Sequence, residues 1–184
     1  MTETADPRTQ GVEVEVLLPA ERISARIAEM AAAITRDYAG RKLKLVGVLK
    51  GSFMFMADLA RAIALPLEVD FIGTTSYQGS STSGVVRITS DLSRPIEGEH
   101  VLLVEDIVDT GLTVKYLLEN LATRGPASVE VCALLRKPAR ARVEVRVAYE
   151  GFEIPDAFVV GYGLDWDGRL RNLPHLAIVR NWDG

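Results

Sequence analysis

Residues 101–113 read VLLVEDIVDTGLT. Val101, Leu102, Leu103 and Val104 form an unbroken apolar run, the mark of a strand buried on both faces. The run leads straight into three carboxylates, Glu105, Asp106 and Asp109, and then into Thr110, Gly111, Leu112 and Thr113 at the start of an amphipathic stretch. A buried strand, an acidic turn, a glycine and a helix in that order belong to an open parallel sheet, where ligands bind beyond the carboxyl ends of the strands. Gly111 lets the backbone come close to a ligand. Successive N–H groups, two threonine hydroxyls and a helix N-terminus together suit a phosphate. Carboxylates beside a phosphate repel it unless they touch its hydroxyls or a divalent cation. The expected ligand therefore carries both a phosphate and a diol, together with Mg²⁺.

The same texture extends on both sides. Residues 43–49 and 67–73 are short β-branched runs around an apolar helix at 52–64 that starts on a capping-type serine, Ser52. Residues 100–105 and 128–135 are strands around a helix at 113–124, with Leu117, Leu118 and Leu121 inward and Gly125 closing it. Strands alternating with helices predict an α/β fold, a mostly parallel sheet flanked by helices. Towards the N-terminus, 12–16 alternates apolar and charged residues, the period of a half-buried strand. Residues 19–38 place Ile23, Ile27, Met30, Ile34 and Tyr38 on one helical face, with Gly40 just beyond. Further strands are expected at 143–148, 158–163 and 176–180. Residues 1–10 read as a loose tail, and no linker divides 1–184, so one domain is expected.

Residues 74–84, TTSYQGSSTSG, hold seven Ser or Thr and two Gly in eleven positions. A run so polar predicts a surface loop, and its length exceeds that of ordinary hairpin connections, which favours a lid that includes Ser76 and Tyr77.

Composition narrows the function. Of 184 residues, 48% are hydrophobic and 25% charged, the mix of an ordinary globular chain. The lone cysteine, Cys132, excludes a disulfide framework and a cysteine metal cluster, and its apolar run makes it a buried strand residue. No apolar run approaches a membrane span and residues 1–11 carry no signal-type stretch, so a cytoplasmic protein without a membrane partner is expected. With 21 Lys and Arg against 25 Asp and Glu, the net charge of −4 speaks against a nucleic-acid partner.

The segment 101–113 resembles the thirteen-residue 5-phosphoribosyl 1-pyrophosphate (PRPP) motif of the type I phosphoribosyltransferases. Its EDIVDTG variant resembles the 6-oxopurine, or hypoxanthine-guanine, branch. Three further stretches resemble that branch: LKGS at 49–52, SYQGSSTSG at 76–84 and FEIPDAFVVGYGLDWDGRLRNLPHLAIV at 152–179. The resemblance implies a small hood over the sheet, built from about 12–18 and 150–184 and carrying a purine pocket. It implies purine salvage: 5-phosphoribosyl passes from PRPP to N9 of hypoxanthine or guanine, giving IMP or GMP and pyrophosphate. Glu105 and Asp106 would hold the ribose hydroxyls, partly through Mg²⁺. Asp109 would accept the purine N7 proton, and Asp109, Thr110, Gly111, Leu112 and Thr113 would wrap the 5′-phosphate. Lys50 and Gly51, entered through a cis peptide, would bind pyrophosphate together with Arg171. Lys137 would donate to the purine 6-oxo group, Phe158 would stack on the ring, and Val159 would read its edge. Asp165 would complete that pocket and hold a second Mg²⁺. A homodimer or homotetramer is implied as well.

Other readings stay open on the residues alone. Phe158 and its neighbours suit plain strand core. The apolar flanks of Lys50 argue against exposure, and His175 reads as structural. Arg136, Lys137, Arg140, Arg142 and Arg146 are five cations within eleven residues, which suits a solvated face, or a nucleic-acid-binding regulator of the same fold that senses PRPP. A transferase for xanthine or another base is the remaining alternative.

Overall fold

The structure, a computed structural model, describes residues 6–77 and 85–180. In chain order the elements are β1 (Val14–Leu18), α1 (Ala20–Asp37), β2 (Leu43–Leu49), α2 (Phe53–Ala62), β3 (Leu67–Tyr77), β4 (Val85–Ser90), β5 (His100–Val108), α3 (Leu112–Ala122), β6 (Ser128–Arg136), β7 (Tyr149–Glu153), β8 (Val159–Val160) and β9 (Leu176–Val179). Six strands form one sheet in the order β4-β3-β2-β5-β6-β7. All its neighbours pair in parallel except β3 and β4.

Burial on both faces explains why β2 and β5 read as continuous apolar runs. Leu102 and Val104 point into a core shared with Ile27, Ile34, Phe55 and Leu59 of α1 and α2. Val101 and Leu103 point the other way, into a core shared with Val114, Leu117 and Leu121 of α3. The helix over 20–37 buries Ile23, Ile27, Met30 and Ile34, as their spacing predicts. Cys132 is fully buried in β6.

A second sheet, β1-β9-β8, stands apart from the first and pairs the two ends of the described chain, with Val14 opposite Val179. It has its own small core of Val12, Val160, Leu170, Leu173, Ala177 and Val179. Of the expected loose tail, Pro7–Thr9 is a 3₁₀ turn capped by Asp6, and Arg8 donates to the Asn172 carbonyl at 3.2 Å.

Several expectations are corrected. The stretch 74–77 is strand, not loop: β3 continues through it and pairs with β4, an element the sequence reading missed. Hydroxylated residues tolerate a ladder whose outer face is wet, so polarity alone misled. The expected strand at 143–148 lies instead at Tyr149–Glu153. Arg142 and Val143 turn their N–H groups to the Thr110 carbonyl rather than to a neighbouring strand. The strand expected at 158–163 is only Val159–Val160, because residues 161–164 fold into a turn. Ser52 does not cap α2 with its side chain; its hydroxyl donates to the Val48 carbonyl at 2.7 Å.

If β5 is sealed on both faces, adjacent truncations should cost alike. Leu102→Ala and Leu103→Ala should each destabilise the protein by about 2–5 kcal/mol in urea unfolding. A cost under about 1 kcal/mol for either would mean that its layer is not closed.

Candidate active site

β2 and β5 lie side by side in the middle of the sheet, yet their chains leave in opposite directions. β2 continues through α2 to β3 on one side, and β5 continues through α3 to β6 on the other. Their carboxyl ends therefore open a crevice, the place where parallel sheets bind ligands.

On the β5 side, Gly111 has φ +82°, and a Cβ there would lie 2.7 Å from the Val143 carbonyl oxygen. Glycine is required twice, for its backbone angle and for the close approach. The Thr110 carbonyl accepts from the N–H groups of Arg142 (3.0 Å) and Val143 (3.3 Å), so the segment after β6 braces the turn from behind. Leu112 opens α3 directly after this turn. Glu105, Asp109, Thr110, Gly111 and Thr113 line a cavity of about 70 Å³ in front of the helix N-terminus.

The carboxylates Glu105 and Asp106 lie within β5 rather than beyond it, because the strand runs on to Val108. Glu105 is buried and its Oε2 has no hydrogen-bond partner. Burial, reinforced by Asp106, pushes its carboxyl well above the usual range. Burial also pushes Asp106 up to about 6, with backbone N–H groups and Arg171 opposing the rise and Asp165 adding to it. Among the described residues, no three His, Cys, Asp or Glu side chains form a ready-made metal cage.

On the β2 side, the Leu49–Lys50 peptide is cis. A Cβ on Gly51 would overlap the Asp106 carboxylate, so the LKGS turn lies against β5 and only glycine fits at the contact. A Cβ on Gly163 would likewise strike the Gly51 carbonyl oxygen. Three segments distant in sequence thus meet at Gly51. Arg171 Nη1 donates to the Gly163 carbonyl at 2.6 Å, and Nη2 pairs with Asp165 Oδ1 at 2.5 Å. The other Asp165 oxygen accepts from the Gly168 N–H at 2.8 Å. Lys50 is exposed, against the expectation from its apolar flanks: the chain has already left the sheet at this point.

The residues expected around the purine fall into two groups. Lys137 is buried at the end of β6, and its N–H donates to the Val108 carbonyl at 3.0 Å. Its ammonium stands 4.0 Å from Asp156. Lys137 and Asp109 line one cavity of about 270 Å³. Phe158 packs half-buried beside the core of the small sheet, and Val159 is buried in β8. Two residues that the sequence reading did not assign stand here. Arg140 Nε lies 2.8 Å from Asp109 Oδ1, and Arg140 also bonds Asp156 at 3.4 Å. Only Arg140's place in the cationic run signalled it, and nothing marked Asp156.

That run is not a free basic surface. Arg136 pairs with Glu150 and Glu153, Arg146 with Glu130 and Arg140 with two aspartates, while Lys137 is buried. Ser76 and Tyr77 belong to β3 by backbone; their side chains and residues 78–84, where the lid is expected, lie outside the described residues.

Comparison with known proteins agrees with this geometry. The model of the phosphoribosyl transferase domain matches residues 13–167. The hypoxanthine-guanine phosphoribosyltransferase of Mycobacterium avium is 53% identical over 171 residues, covering 89% of this chain and 84% of that protein. The hypoxanthine phosphoribosyltransferase of Haemophilus influenzae is 51% identical over 170 residues, covering 90% and 95%. A crystal structure of a hypoxanthine phosphoribosyltransferase from Staphylococcus aureus superposes with a TM-score of 0.90 at 42% identity, covering 97% of each chain. With its mostly parallel sheet, its glycine turn at 109–113 and the acidic pair in β5, the chain belongs to the phosphoribosyl transferase family.

Proposed function

We propose that this protein transfers 5-phosphoribosyl from PRPP to N9 of hypoxanthine or guanine, releasing pyrophosphate in purine salvage. The observation that carries the proposal is the meeting of Gly51, Asp106 and Gly163, which gathers the LKGS turn, the acidic pair and the Asp165–Arg171 segment around one crevice. The 109–113 turn would take the 5′-phosphate on its backbone N–H groups and threonine hydroxyls. Glu105 and Asp106 would take the ribose hydroxyls. The N–H groups of Lys50 and Gly51, with Arg171, would take the pyrophosphate.

Mg²⁺ fits the acidic pair: the donors are hard oxygens, and Glu105 Oε2 is buried without a partner. Bound with PRPP, the ion would neutralise the pyrophosphate as it departs. A second ion at Asp165 would share a carboxylate already engaged by Arg171 and the Gly168 N–H. Bond breaking at C1′ leads bond making, so the ribose ring gains positive charge beside these carboxylates. Asp109 would accept the N7 proton, general-base catalysis worth typically 10²–10⁴-fold. Lys137, an ammonium with donors and no acceptor, would pair with a 6-oxo group and not with the amino group of adenine. Arg136, already matched by Glu150 and Glu153, leaves Lys137 as the cation for that role. A lone buried thiol suits a reducing cytoplasm. A homodimer or homotetramer belongs to the same proposal, and sedimentation velocity distinguishes the two.

Purified protein with Mg²⁺, PRPP and either 6-oxopurine should yield the nucleotide and pyrophosphate, with adenine a poor substrate. Failure with both 6-oxopurines while PRPP binds would overturn the assignment. Asp109→Asn keeps the shape and removes the proton acceptor, so kcat should fall by about 10²-fold or more with little change in PRPP affinity. An unchanged kcat, in an enzyme not limited by product release, removes Asp109 from that role. Lys137→Gln should lower hypoxanthine and guanine kcat/KM by roughly one to two orders of magnitude and relax discrimination against adenine. If Arg136→Gln does this instead, the purine contact is one residue away.

A further inference from the structure

The turn at 161–164 carries an oddity. Gly161, Tyr162 and Gly163 all have positive φ, of 93°, 46° and 103°. Glycine suits such angles, whereas a residue with a side chain seldom adopts them unless its surroundings hold it there. A third glycine would make this turn more easily, so the tyrosine is present for its side chain. That side chain is buried, and its ring belongs to the core shared with α1 and α2. Its hydroxyl donates to Asp58 Oδ2 on α2. Burial first, and the Asp58 carboxylate second, hold the phenol protonated, so it remains a donor.

Both ends of this bond lead to the crevice. Asp58 belongs to α2, which begins right after the LKGS turn. On the other side, the Tyr162 N–H donates to the Leu173 carbonyl at 2.9 Å and the Gly163 N–H to the Arg171 carbonyl at 3.0 Å. The next residue, Gly163, lies on the Gly51 carbonyl and accepts from Arg171 Nη1. The Tyr162–Asp58 bond is thus a side-chain tie between the helix that follows Gly51 and the turn that bonds Arg171 and leads into Asp165.

We propose that Tyr162 and Asp58 are positioning residues for the pyrophosphate end of the site, setting Arg171 and Asp165 against Lys50 and Gly51. The proposal rests on the reading of that end as the pyrophosphate subsite. Neither residue touches the substrate. Loss of the tie should therefore weaken PRPP and leave Asp109 and Lys137, which stand just beyond β5 and β6, as they were.

Tyr162→Phe keeps the ring and removes only the hydroxyl, while Asp58→Ala removes the acceptor and Asp58→Asn retains an acceptor oxygen. Affinity for PRPP with Mg²⁺, measured calorimetrically, should fall roughly three- to tenfold in Tyr162→Phe and Asp58→Ala. The KM for PRPP should rise in step, with the KM for hypoxanthine unchanged. Asp58→Asn should stay within about twofold of the unaltered protein. Asp58→Ala also frees Arg61, an exposed partner on the same helix, so the double variant Tyr162→Phe/Asp58→Ala should bind PRPP no worse than Asp58→Ala, both lacking the same tie. Normal PRPP affinity in Tyr162→Phe overturns the proposal. So does equal weakening for PRPP and purine, or an Asp58→Asn as poor as Asp58→Ala. Because calorimetry needs no turnover, the outcome is separable from the proposed function, which falls if the unaltered protein makes no nucleotide while still binding PRPP.

Discussion

Adjacent parallel strands that send their chains to opposite sides must leave a gap between their outgoing loops, and the chemistry of this molecule stands on the rim of that gap. The gap would be too wide to act as one site if the loops stayed apart. Gly51 closes it: without a side chain, its backbone comes against Asp106 from one side and Gly163 from the other. The acidic pair of β5 and the segment that holds Gly163 and Arg171 are thereby brought against the LKGS turn.

The two ends of the sheet treat buried charge differently, and the contrast marks the site. At the amino end, Lys44 is 2% exposed, yet it meets Glu99 at 2.8 Å, Glu68 at 3.2 Å and the Pro95 carbonyl at 3.2 Å. Burial disfavours its charge, but the hydrogen bonds to Glu99 and Glu68 outweigh that and raise its pKa. At the carboxyl end, Glu105 is as thoroughly enclosed and its Oε2 has nothing. An uncompensated buried carboxylate costs stability that a purely structural strand would not give up. Such a loss is tolerated where a ligand supplies the missing partner, and perturbed carboxylates in a crevice are a recognised sign of a functional site.

Much of this was legible because it is local. Residues 101–113 hold strand, turn and helix in one contiguous stretch, and the parallel sheet follows from the unbroken apolar runs 45–49 and 101–104 within β2 and β5. What escaped depends on partners far away in sequence. The chain at 143–148 alternates like a strand, but Val143 gives its N–H to the Thr110 carbonyl, and no periodicity could reveal that. Arg140 sits on Asp109 only because the turn after β6 folds back. Tyr162 was invisible for another reason: a tyrosine between two glycines reads as a turn, and only its backbone angle shows that the side chain is what keeps it there.

The pairing of Val14 with Val179 has a consequence for the order in which the molecule comes into being. The six-stranded sheet is complete once the chain reaches Glu153, and all but one of its pairings join consecutive strands. The small sheet cannot close until residues at the far end of the described chain have been made, because the middle strand, β9, is the last of all. During synthesis the first strand must therefore wait, unpaired, while everything between it and its partner folds. Arg171 and Asp165 arrive with that final closure, so a growing chain owns its 109–113 turn and its acidic pair long before the third side of the crevice exists.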